Sequence, residues 1–295
     1  MDTMISAIRG FLDLKDIPFS KRLKYSLDIV RLKSLKPGQS NRISLFGFNI
    51  NYDRFDSLSL LIREIFIDRL YNCRLKTKSP VIFDIGGNIG IAMLFFKLLY
   101  PQSIIYSFEP DPDTFSILEK NVKENNLKDV FITKAGLSDF TGRSTFFVPP
   151  WSSGSSSLFK EKVLIERGFA DKGINEDPFK EKEVDVLRGY EFIREKGIEH
   201  IDILKIDAEG AEEKIIRDLS PCLDLIDLVV LEYHYCRDFL HENSLAKIIS
   251  YLEGSGFIIS VKPLWMAKEP QVAATYLIKA LRGKAGYNIK ALPYP

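Results

Sequence analysis

The chain has 295 residues, of which 45% are hydrophobic and 27% are charged, and its formal net charge at pH 7 is +1. This composition is typical of a soluble globular protein with a sizeable core, and the balanced charge gives no support to nucleic acid as a partner. Three widely spaced cysteines argue against a zinc knuckle and favour reduced thiols in the cytoplasm, and no apolar run reaches the roughly 20 residues that span a bilayer.

The N-terminal segment, up to about residue 36, is helix-prone and basic. Leu23, Leu27 and Val30 recur near helical spacing, which predicts a helix that packs on the main domain and keeps its charged face in water. A peripheral contact of this basic segment with anionic lipid, or with a lipid-linked substrate, is the alternative.

Two further elements precede the centre of the chain. Residues 42–52 alternate around a glycine and predict a β-hairpin, and residues 56–71 predict an amphipathic helix. The apolar stripe of that helix would consist of Leu60, Leu61, Ile65, Phe66 and Leu70. Residues 1–75 are expected to form an N-terminal extension of helix and hairpin, ahead of a domain that spans residues 76–285.

The rest of the chain is organised around the stretch VIFDIGGNIG, residues 81–90. A short apolar run that ends near Asp84 and is followed by Gly86, Gly87 and Gly90 is typical of a buried parallel strand that turns tightly into a helix. Such a turn lets the backbone approach a ligand closely and points N–H groups at it. The spacing does not fit the G-x-G-x-x-G fingerprint of dinucleotide-binding proteins.

Strands and helices alternate after this turn, which indicates βαβ units and a mostly parallel sheet. The predicted strands cover residues 104–108, 130–134, 201–206, 225–231, 257–261 and 275–280, and the last two are expected to pair antiparallel. Residues 135–148 predict a hairpin. Residues 150–185 are a polar insertion with a serine-rich stretch, 152–157, after Trp151, and we expect this insertion to cover the site as a lid.

Polar side chains follow five of the predicted strands. They are Asp84, Glu109, Ser138 and Asp139, Asp207 and Glu209, and Glu232 and His234. Because ligands bind where the carboxyl ends of parallel strands meet, we expect these side chains to form one ligand site. Glu109 lies about 20 residues past the glycine turn, where an acid accepts both hydroxyls of a ribose.

These motifs resemble the FkbM family of S-adenosylmethionine-dependent methyltransferases, and the resemblance covers Arg42 to about Val261. It rests on FDIGGNIG (83–90), FEPDP (108–112), AGLSDFTG (135–142), LKIDAEGAE (204–212) and LEYH (231–234), with EIF…Y (64–71) ahead of them. It implies an α/β, Rossmann-like fold with helices on both faces of a seven-stranded, mostly parallel sheet in the order 3-2-1-4-5-7-6. It also implies O-methylation of a hydroxyl, often on a sugar or polyketide.

The resemblance implies a role for each matching residue. The methionine part of the cofactor, S-adenosylmethionine, would be held by Asp84, Gly86, Gly87, Asn88 and Gly90. Glu109, with Pro110 after it, would hold the ribose, and Ser138 and Asp139 would lie near the adenine. Asp207, Glu209 and His234 would face the methyl group that is transferred.

Two routes for removing the proton of the acceptor hydroxyl follow. In the first, His234 is the general base, Asp207 orients it and Lys205 steadies the developing alkoxide. In the second, a divalent cation lowers the pKa of the hydroxyl, and its candidate ligands are Asp207, Glu209, Glu232 and His234. The sequence does not separate these routes.

Other classes of protein share parts of this pattern. An NAD(P)-dependent oxidoreductase also uses a glycine turn and an acid after the second strand, although the glycine spacing disfavours it. A non-catalytic nucleotide-binding protein of the same fold is the other alternative, and the polar residues at five strand ends weigh against it. The acceptor stays open between glycan, glycolipid, polyketide and small alcohol.

Overall fold

The structure is a computed structural model that describes residues 8, 19–32, 41–150, 154, 156–160, 179–266 and 273–283. Its helices are α1 (Phe19–Leu32), α2 (Phe55–Ile62), α3 (Ile91–Leu99), α4 (Pro112–Glu124), α5 (Gly189–Glu195), α6 (Glu212–Leu219) and α7 (Leu245–Gly254). Its strands are β1 (Arg42–Leu45), β2 (Phe48–Asn51), β3 (Val81–Ile85), β4 (Ile104–Phe108), β5 (Val130–Thr133), β6 (Gly136–Ser138), β7 (Gly142–Val148), β8 (Lys180–Arg188), β9 (Ile201–Ile206), β10 (Ile226–Cys236), β11 (Phe257–Met266) and β12 (Ala273–Arg282). None of the helices described here is long and apolar enough to cross a membrane.

The main sheet has seven strands in the order β5-β4-β3-β9-β10-β12-β11. The first five strands in this order, β5, β4, β3, β9 and β10, pair parallel. Strand β12 pairs antiparallel with both β10 and β11. Counted along the chain, these seven strands have the order 3-2-1-4-5-7-6. The predicted Rossmann-like fold, including its antiparallel last strand, is therefore confirmed.

Strand β3 lies in the middle of this sheet and is covered on both faces. Ile82 belongs to a core shared with α3 and the N-terminal elements, and Phe83 belongs to a second core shared with α6 and α7. Successive side chains of a strand point to opposite faces, so an uninterrupted apolar run is what two cores require. The helices pack on both faces, as predicted.

Strand β10 is longer than predicted. The predicted strand stops at Leu231, but β10 continues to Cys236 and contains both Glu232 and His234. Beyond Leu231 it pairs only with β12, because β9 ends at Ile206, opposite Leu231. Glu232 and His234 therefore extend past the carboxyl end of β9, at the edge where the site was expected.

The predicted hairpin over residues 135–148 is wrong. Strands β6 and β7 do not pair with each other, because β8 lies between them in a three-stranded sheet. β8 comes from the end of the region predicted to be a polar insertion, where exposed charged residues alternate with the buried Val184 and Val186. Residues 151–153, 155 and 161–178 of the insertion, which include Trp151 and half of the serine-rich stretch 152–157, lie outside the described residues, so the lid stays a prediction.

The N-terminal elements also differ from the prediction. In α1, Leu23, Leu27 and Val30 were expected to pack on the main domain but are exposed, and Tyr25 and Ile29 are buried instead.

The hairpin β1–β2 forms as expected, but the single helix predicted over residues 56–71 is wrong in its second half. α2 ends at Ile62 and continues as one π-helical turn, Arg63–Ile67, in which the N–H of Asp68 donates to the carbonyl of Arg63 over 2.8 Å.

The predicted apolar stripe is confirmed in its second half and wrong in its first. Ile65, Phe66 and Leu70 are buried as predicted, whereas Leu60 is 54% exposed and α2 buries Leu58 and Ile62 in its place. When the apolar residues of a helix cover more than one face, those outside the core-facing side line a different surface. Here that surface is the large cavity described below.

Candidate active site

The glycine turn after β3 passes through a narrow gap between Ser107 of β4 and Asp207, which follows β9. Gly86 has a φ of +78°, and a Cβ at this position would lie 1.8 Å from the carbonyl oxygen of Asp207. A Cβ on Gly87 would lie 2.2 Å from Oγ of Ser107. Asn88 has a φ of +48°, a left-handed conformation that asparagine tolerates better than most residues. Only glycine lets the chain pass between β4 and β9 here.

A buried ion pair lies directly beneath this turn. Nζ of Lys205, which is 2% exposed, lies 3.1 Å from Oδ1 of the fully buried Asp84. It also donates to the carbonyl oxygens of Gly86, at 2.6 Å, and Ile85, at 3.2 Å. Burial alone would lower the pKa of Lys205, but the carboxylates of Asp84 and Asp207 raise it. Lys205 is therefore charged, and its contacts tie β9 to the glycine turn. It lines neither of the two cavities described below, so the predicted role of Lys205 in steadying an alkoxide is wrong.

Glu109 lies behind the turn, at the end of β4. Its carboxylate accepts the N–H of Asn88 over 2.8 Å and the N–H of Asp111 over 2.9 Å. Burial raises the pKa of Glu109 to about 7, although these two hydrogen bonds act in the opposite direction. A carboxylate held in this way at the turn fits the role predicted for it, which is to accept the hydroxyls of a ribose.

A small cavity of about 70 Å³ opens between the turn and β4. Its apolar lining includes Phe108, Pro110, Leu137 and Phe146, and Glu109 also lines it. Apolar side chains, a buried carboxylate and a glycine turn are the chemical groups that a nucleoside site needs. S-adenosylmethionine fits this combination because it carries a flat adenine, a ribose and a charged methionine part.

Two residues predicted near the adenine do not line this cavity. Ser138 is buried, and its Oγ donates to Oδ1 of Asp139 over 3.2 Å. Asp139 forms an ion pair with Arg217 of α6. The residues of the same segment that do line the cavity are Gly136 and Leu137, which come immediately before them.

A second, larger cavity of about 510 Å³ adjoins the first. Part of its lining is apolar and includes Leu60, Leu61 and Ile65 from the N-terminal helical segment and Leu264 and Trp265 from β11. The two cavities share four lining residues: Asn88, Gly154, Asp207 and Glu209. A group in the small cavity can therefore meet a group in the large one at Asp207 and Glu209.

His234 lies at this junction and is held from behind by Glu212. Nδ1 of His234 is 2.9 Å from Oε1 of Glu212, and Nε2 is 3.6 Å from Oε2 of Glu209 and 4.0 Å from Oδ1 of Asp207. Burial acts to raise the pKa of the fully buried Glu212, but hydrogen bonds from His234 and Gly210 lower it overall. The ionised carboxylate can only accept, so the Nδ1 atom of His234 carries the proton.

Two further carboxylates line the large cavity. Burial raises the pKa of Glu64 to about 7 and that of Glu232 to about 8, and the charge of Asp207 adds to both shifts. The hydroxyl of Tyr71 donates to Glu232. These carboxyl groups therefore change protonation state near neutral pH.

The structure also brings together three of the four candidate metal ligands. One ligand atom from each of Asp207, Glu232 and His234 lies within 4.8 Å of the other two. The fourth candidate, Glu209, approaches Nε2 of His234 to 3.6 Å. Carboxylate oxygens with one imidazole suit a divalent cation, so this geometry leaves both predicted routes of proton removal open.

Several residues of the site were not assigned a role from the sequence. Glu64 and Tyr71 were noted only as part of a motif ahead of the glycine turn, and Glu212 only as the end of another motif. Leu60 was assigned to the core. The sequence contains one signal for Glu212. It follows Asp207 by five residues and begins a helix whose first turn is acidic.

Comparison with known proteins confirms the family resemblance. The family model described as methyltransferase FkbM domain matches residues 84–259. Methyltransferase 1 of Beauveria bassiana is 36% identical over 213 residues, which cover 69% of this chain and 82% of the relative. The 31-O-demethyl-FK506 methyltransferase FkbM of Streptomyces tacrolimicus is 30% identical over 251 residues, 77% of this chain and 94% of the relative. The hexuronic acid methyltransferase AglP of Haloferax volcanii is 25% identical over 157 residues, 53% and 57% of the two chains.

Proposed function

The chain belongs to the FkbM family of methyltransferases, and we propose that it transfers a methyl group from S-adenosylmethionine to a hydroxyl oxygen of a sugar, a glycan or another secondary metabolite. The observation that carries this proposal is the junction of the two cavities at Asp207, Glu209 and His234. Two relatives named above, the FK506 and hexuronic acid methyltransferases, support an oxygen-bearing natural product or sugar as the acceptor.

The small cavity is the proposed site of the methyl donor. Glu109 would accept the ribose hydroxyls, Phe108 and Leu137 would pack on the adenine, and the glycine turn would lie against the methionine part. Bound there, S-adenosylmethionine supplies a methyl group on a sulfonium that is already activated. Asp207 and Glu209, at the junction, face the position where that positive charge would lie.

The large cavity is the proposed acceptor site. An in-line displacement requires the acceptor oxygen, the methyl carbon and the sulfur to be aligned, and positioning supplies much of the rate. His234, whose Nδ1 proton is held by Glu212, turns Nε2 toward the junction and receives the proton of the hydroxyl there. General base catalysis of this kind contributes about 10²–10⁴-fold.

The charge of the large cavity favours a neutral acceptor. Its lining includes five carboxyl groups, Asp56, Glu64, Asp207, Glu209 and Glu232, of which Glu64 and Glu232 are partly protonated near neutral pH because burial raises their pKa to about 7 and about 8. Among the described residues that line it, there is no lysine or arginine. A carboxylate or phosphate near the reacting hydroxyl would be repelled and would find no cationic partner. The apolar side chains of the same lining suit the non-polar face of a sugar ring or a macrocycle.

Calorimetry tests the donor site without knowledge of the acceptor. We expect heat of binding with S-adenosylmethionine and with its demethylated product, and none with NAD. Glu109→Gln should weaken that binding about 10–100-fold, because it removes a charged hydrogen-bond acceptor. Glu119→Gln is the matched control, since Glu119 is exposed on α4. Binding of NAD in place of the sulfonium compound would overturn the proposal.

A screen with a labelled methyl group tests the acceptor. Neutral glycosides, hexuronic acids and sugar phosphates that share one aglycone should be compared at the same concentration. Transfer to the neutral members of the set is the expected result. Preferred transfer to the anionic members would contradict the proposal that the cavity lined by these carboxyl groups binds the acceptor.

A further inference from the structure

Helix α1 is fixed to the body of the protein by one face. Tyr25 and Ile29 are buried, and the ring of Tyr25 meets the ring of Phe46 edge-on, with the ring centres 6.3 Å apart. Oδ2 of Asp28 accepts the N–H of Phe46 over 2.8 Å. Phe46 in turn stacks on Phe66 at 4.4 Å. The helix therefore has one defined orientation on the hairpin β1–β2.

The face of α1 that points away from the body is apolar. Phe19 is 64% exposed, Leu23 48%, Leu27 62% and Val30 48%. Their spacing of four, four and three residues places them in one stripe along the helix. We call these four residues the outer stripe. Single exposed apolar side chains are ordinary, but a continuous stripe of large ones marks an interaction surface.

Among the described residues of α1, the exposed charged side chains beside the outer stripe are positive. Lys21, Lys24 and Arg31 are exposed, and Cζ of Arg22 lies 5.5 Å from the centre of the Phe19 ring. The single acidic residue of α1 is Asp28, which is turned inward to the backbone of the hairpin. An apolar stripe flanked by basic side chains is the arrangement of helices that lie in the interface of an anionic membrane.

We propose that α1 docks this protein on an anionic lipid surface. The outer stripe would enter the boundary between headgroups and acyl chains, and Lys21, Lys24 and Arg31 would contact anionic headgroups. Charge complementarity selects this occupant over a second copy of the chain, because two copies joined by their outer stripes would bring like charges together. The proposal does not depend on the proposed methyl transfer.

Co-sedimentation with vesicles tests this proposal. We expect the full chain to sediment with vesicles that contain phosphatidylglycerol and phosphatidylcholine, to sediment little with phosphatidylcholine alone, and to be released by high salt. The double variant Leu23→Ser/Leu27→Ser should lose about 10-fold or more in vesicle affinity. Lys21→Glu/Lys24→Glu should lose the preference for the anionic vesicles.

A matched control separates the outer stripe from apolar exposure in general. Phe131 and Ile258 are 52% and 48% exposed on the sheet, so Phe131→Ser/Ile258→Ser removes a similar exposed apolar surface elsewhere. Thermal unfolding should show that each variant remains folded. The proposal is overturned if the chain does not bind anionic vesicles, or if the control loses as much affinity as the stripe variant. A dimer that Leu23→Ser/Leu27→Ser dissociates, without vesicle binding, would assign the stripe to a second copy.

Discussion

Oε1 of Glu212 lies 2.9 Å from Nδ1 of His234, and Asn243 donates to the other carboxylate oxygen over 2.6 Å. The sequence had suggested Asp207 as the residue that orients His234. Asp207 instead lies 4.0 Å from Nε2, on the side of the junction, whereas Glu212 holds the imidazole from the buried side. Glu212 is therefore the residue that holds the imidazole, and Asp207 lies where the two cavities meet.

Replacement of His234 tests its proposed role as the base. His234→Ala should lower kcat by about 10²–10⁴-fold while it leaves the affinity for S-adenosylmethionine within a few-fold, since His234 lines only the larger cavity. Glu212→Gln should lower kcat through loss of the fixed tautomer. Steady-state kinetics with an acceptor from the labelled screen, together with calorimetry of the donor, provides both values.

The ring nitrogens of His234 give a second readout for Glu212. The chain has only three histidines, so their nitrogen signals can be assigned by substitution. The wild-type protein should show the tautomer with the proton on Nδ1, and Glu212→Gln should show a mixture. If Glu212→Gln lowers kcat but leaves the tautomer unchanged, Glu212 acts through the structure of α6 and not through the imidazole.

Glu109 predicts a pH dependence of donor binding. The pKa of Glu109 is raised to about 7 in the folded chain, so below that pH the carboxyl is protonated and accepts hydrogen bonds poorly. Ribose hydroxyls donate best to the ionised form. The affinity for S-adenosylmethionine should therefore fall as the pH is lowered through about 7 and level off above it. Calorimetry across this range measures the effect, and Glu109→Gln should abolish it.

Asp139 is the informative comparison for Glu109. The family resemblance placed Asp139 near the adenine, whereas the structure pairs it with Arg217, outside the residues that line the small cavity. Asp139→Asn should change donor affinity by less than about threefold, as expected for a partly exposed ion pair. If Asp139→Asn lowers the affinity for S-adenosylmethionine as much as Glu109→Gln does, Asp139 contributes to the donor site after all.

The central part of the fold was predictable because its sequence pattern is compatible with one kind of structure. A glycine turn, after an apolar run that both cores bury, specifies the middle strand of a doubly covered sheet, and the carboxyl ends of its neighbours collect the polar residues. This reasoning located Asp84, Glu109, Asp207 and His234 at one edge of the sheet. The hydrogen-bond partners of these residues were not predictable. A contact such as that of Glu212 with His234 depends on how α6 packs against the sheet.

The acceptor cavity was largely missed for a related reason. Its apolar lining includes Leu60, which the hydrophobic pattern assigns to a buried stripe, and Trp265, which lies beyond the predicted strand 257–261. The π-helical turn Arg63–Ile67 also has no sequence signature at the level of periodicity, yet Glu64 reaches the cavity from it. π-helical turns occur frequently at functional sites, so Glu64 is a good candidate for a contact with the acceptor.

A chelator distinguishes the two routes of proton removal. If His234 is the base, turnover should be unchanged after treatment with EDTA and should not respond to added Mg²⁺ or Mn²⁺. If a cation is held by Asp207, Glu232 and His234, EDTA should abolish turnover and a divalent metal should restore it. We expect the first result, and restoration by a metal would replace the base mechanism with the cation mechanism.

Removal of Lys205 should destabilise the fold and the donor site together. Lys205→Met leaves the carboxylate of Asp84 buried without its cation, which costs about 3–5 kcal/mol. Asp84→Asn/Lys205→Met removes both charges and should recover part of that stability, but not the affinity for S-adenosylmethionine, because the tie to Gly86 is still lost. Urea unfolding and calorimetry measure the two effects. Full affinity in the double variant would show that Lys205 does not position the turn.

Gly86 provides the sharpest test of the glycine turn, because Gly197 is a matched control. Both have positive φ, +78° and +61°, but a Cβ on Gly86 meets the carbonyl of Asp207, whereas a Cβ on Gly197 meets nothing within 4 Å. Gly197→Ala should cost only the left-handed backbone strain, about 1–2 kcal/mol. Gly86→Ala adds overpacking and should cost about 3 kcal/mol or more, with loss of donor binding. Equal losses in the free energy of unfolding would show that Asp207 yields to the added methyl group.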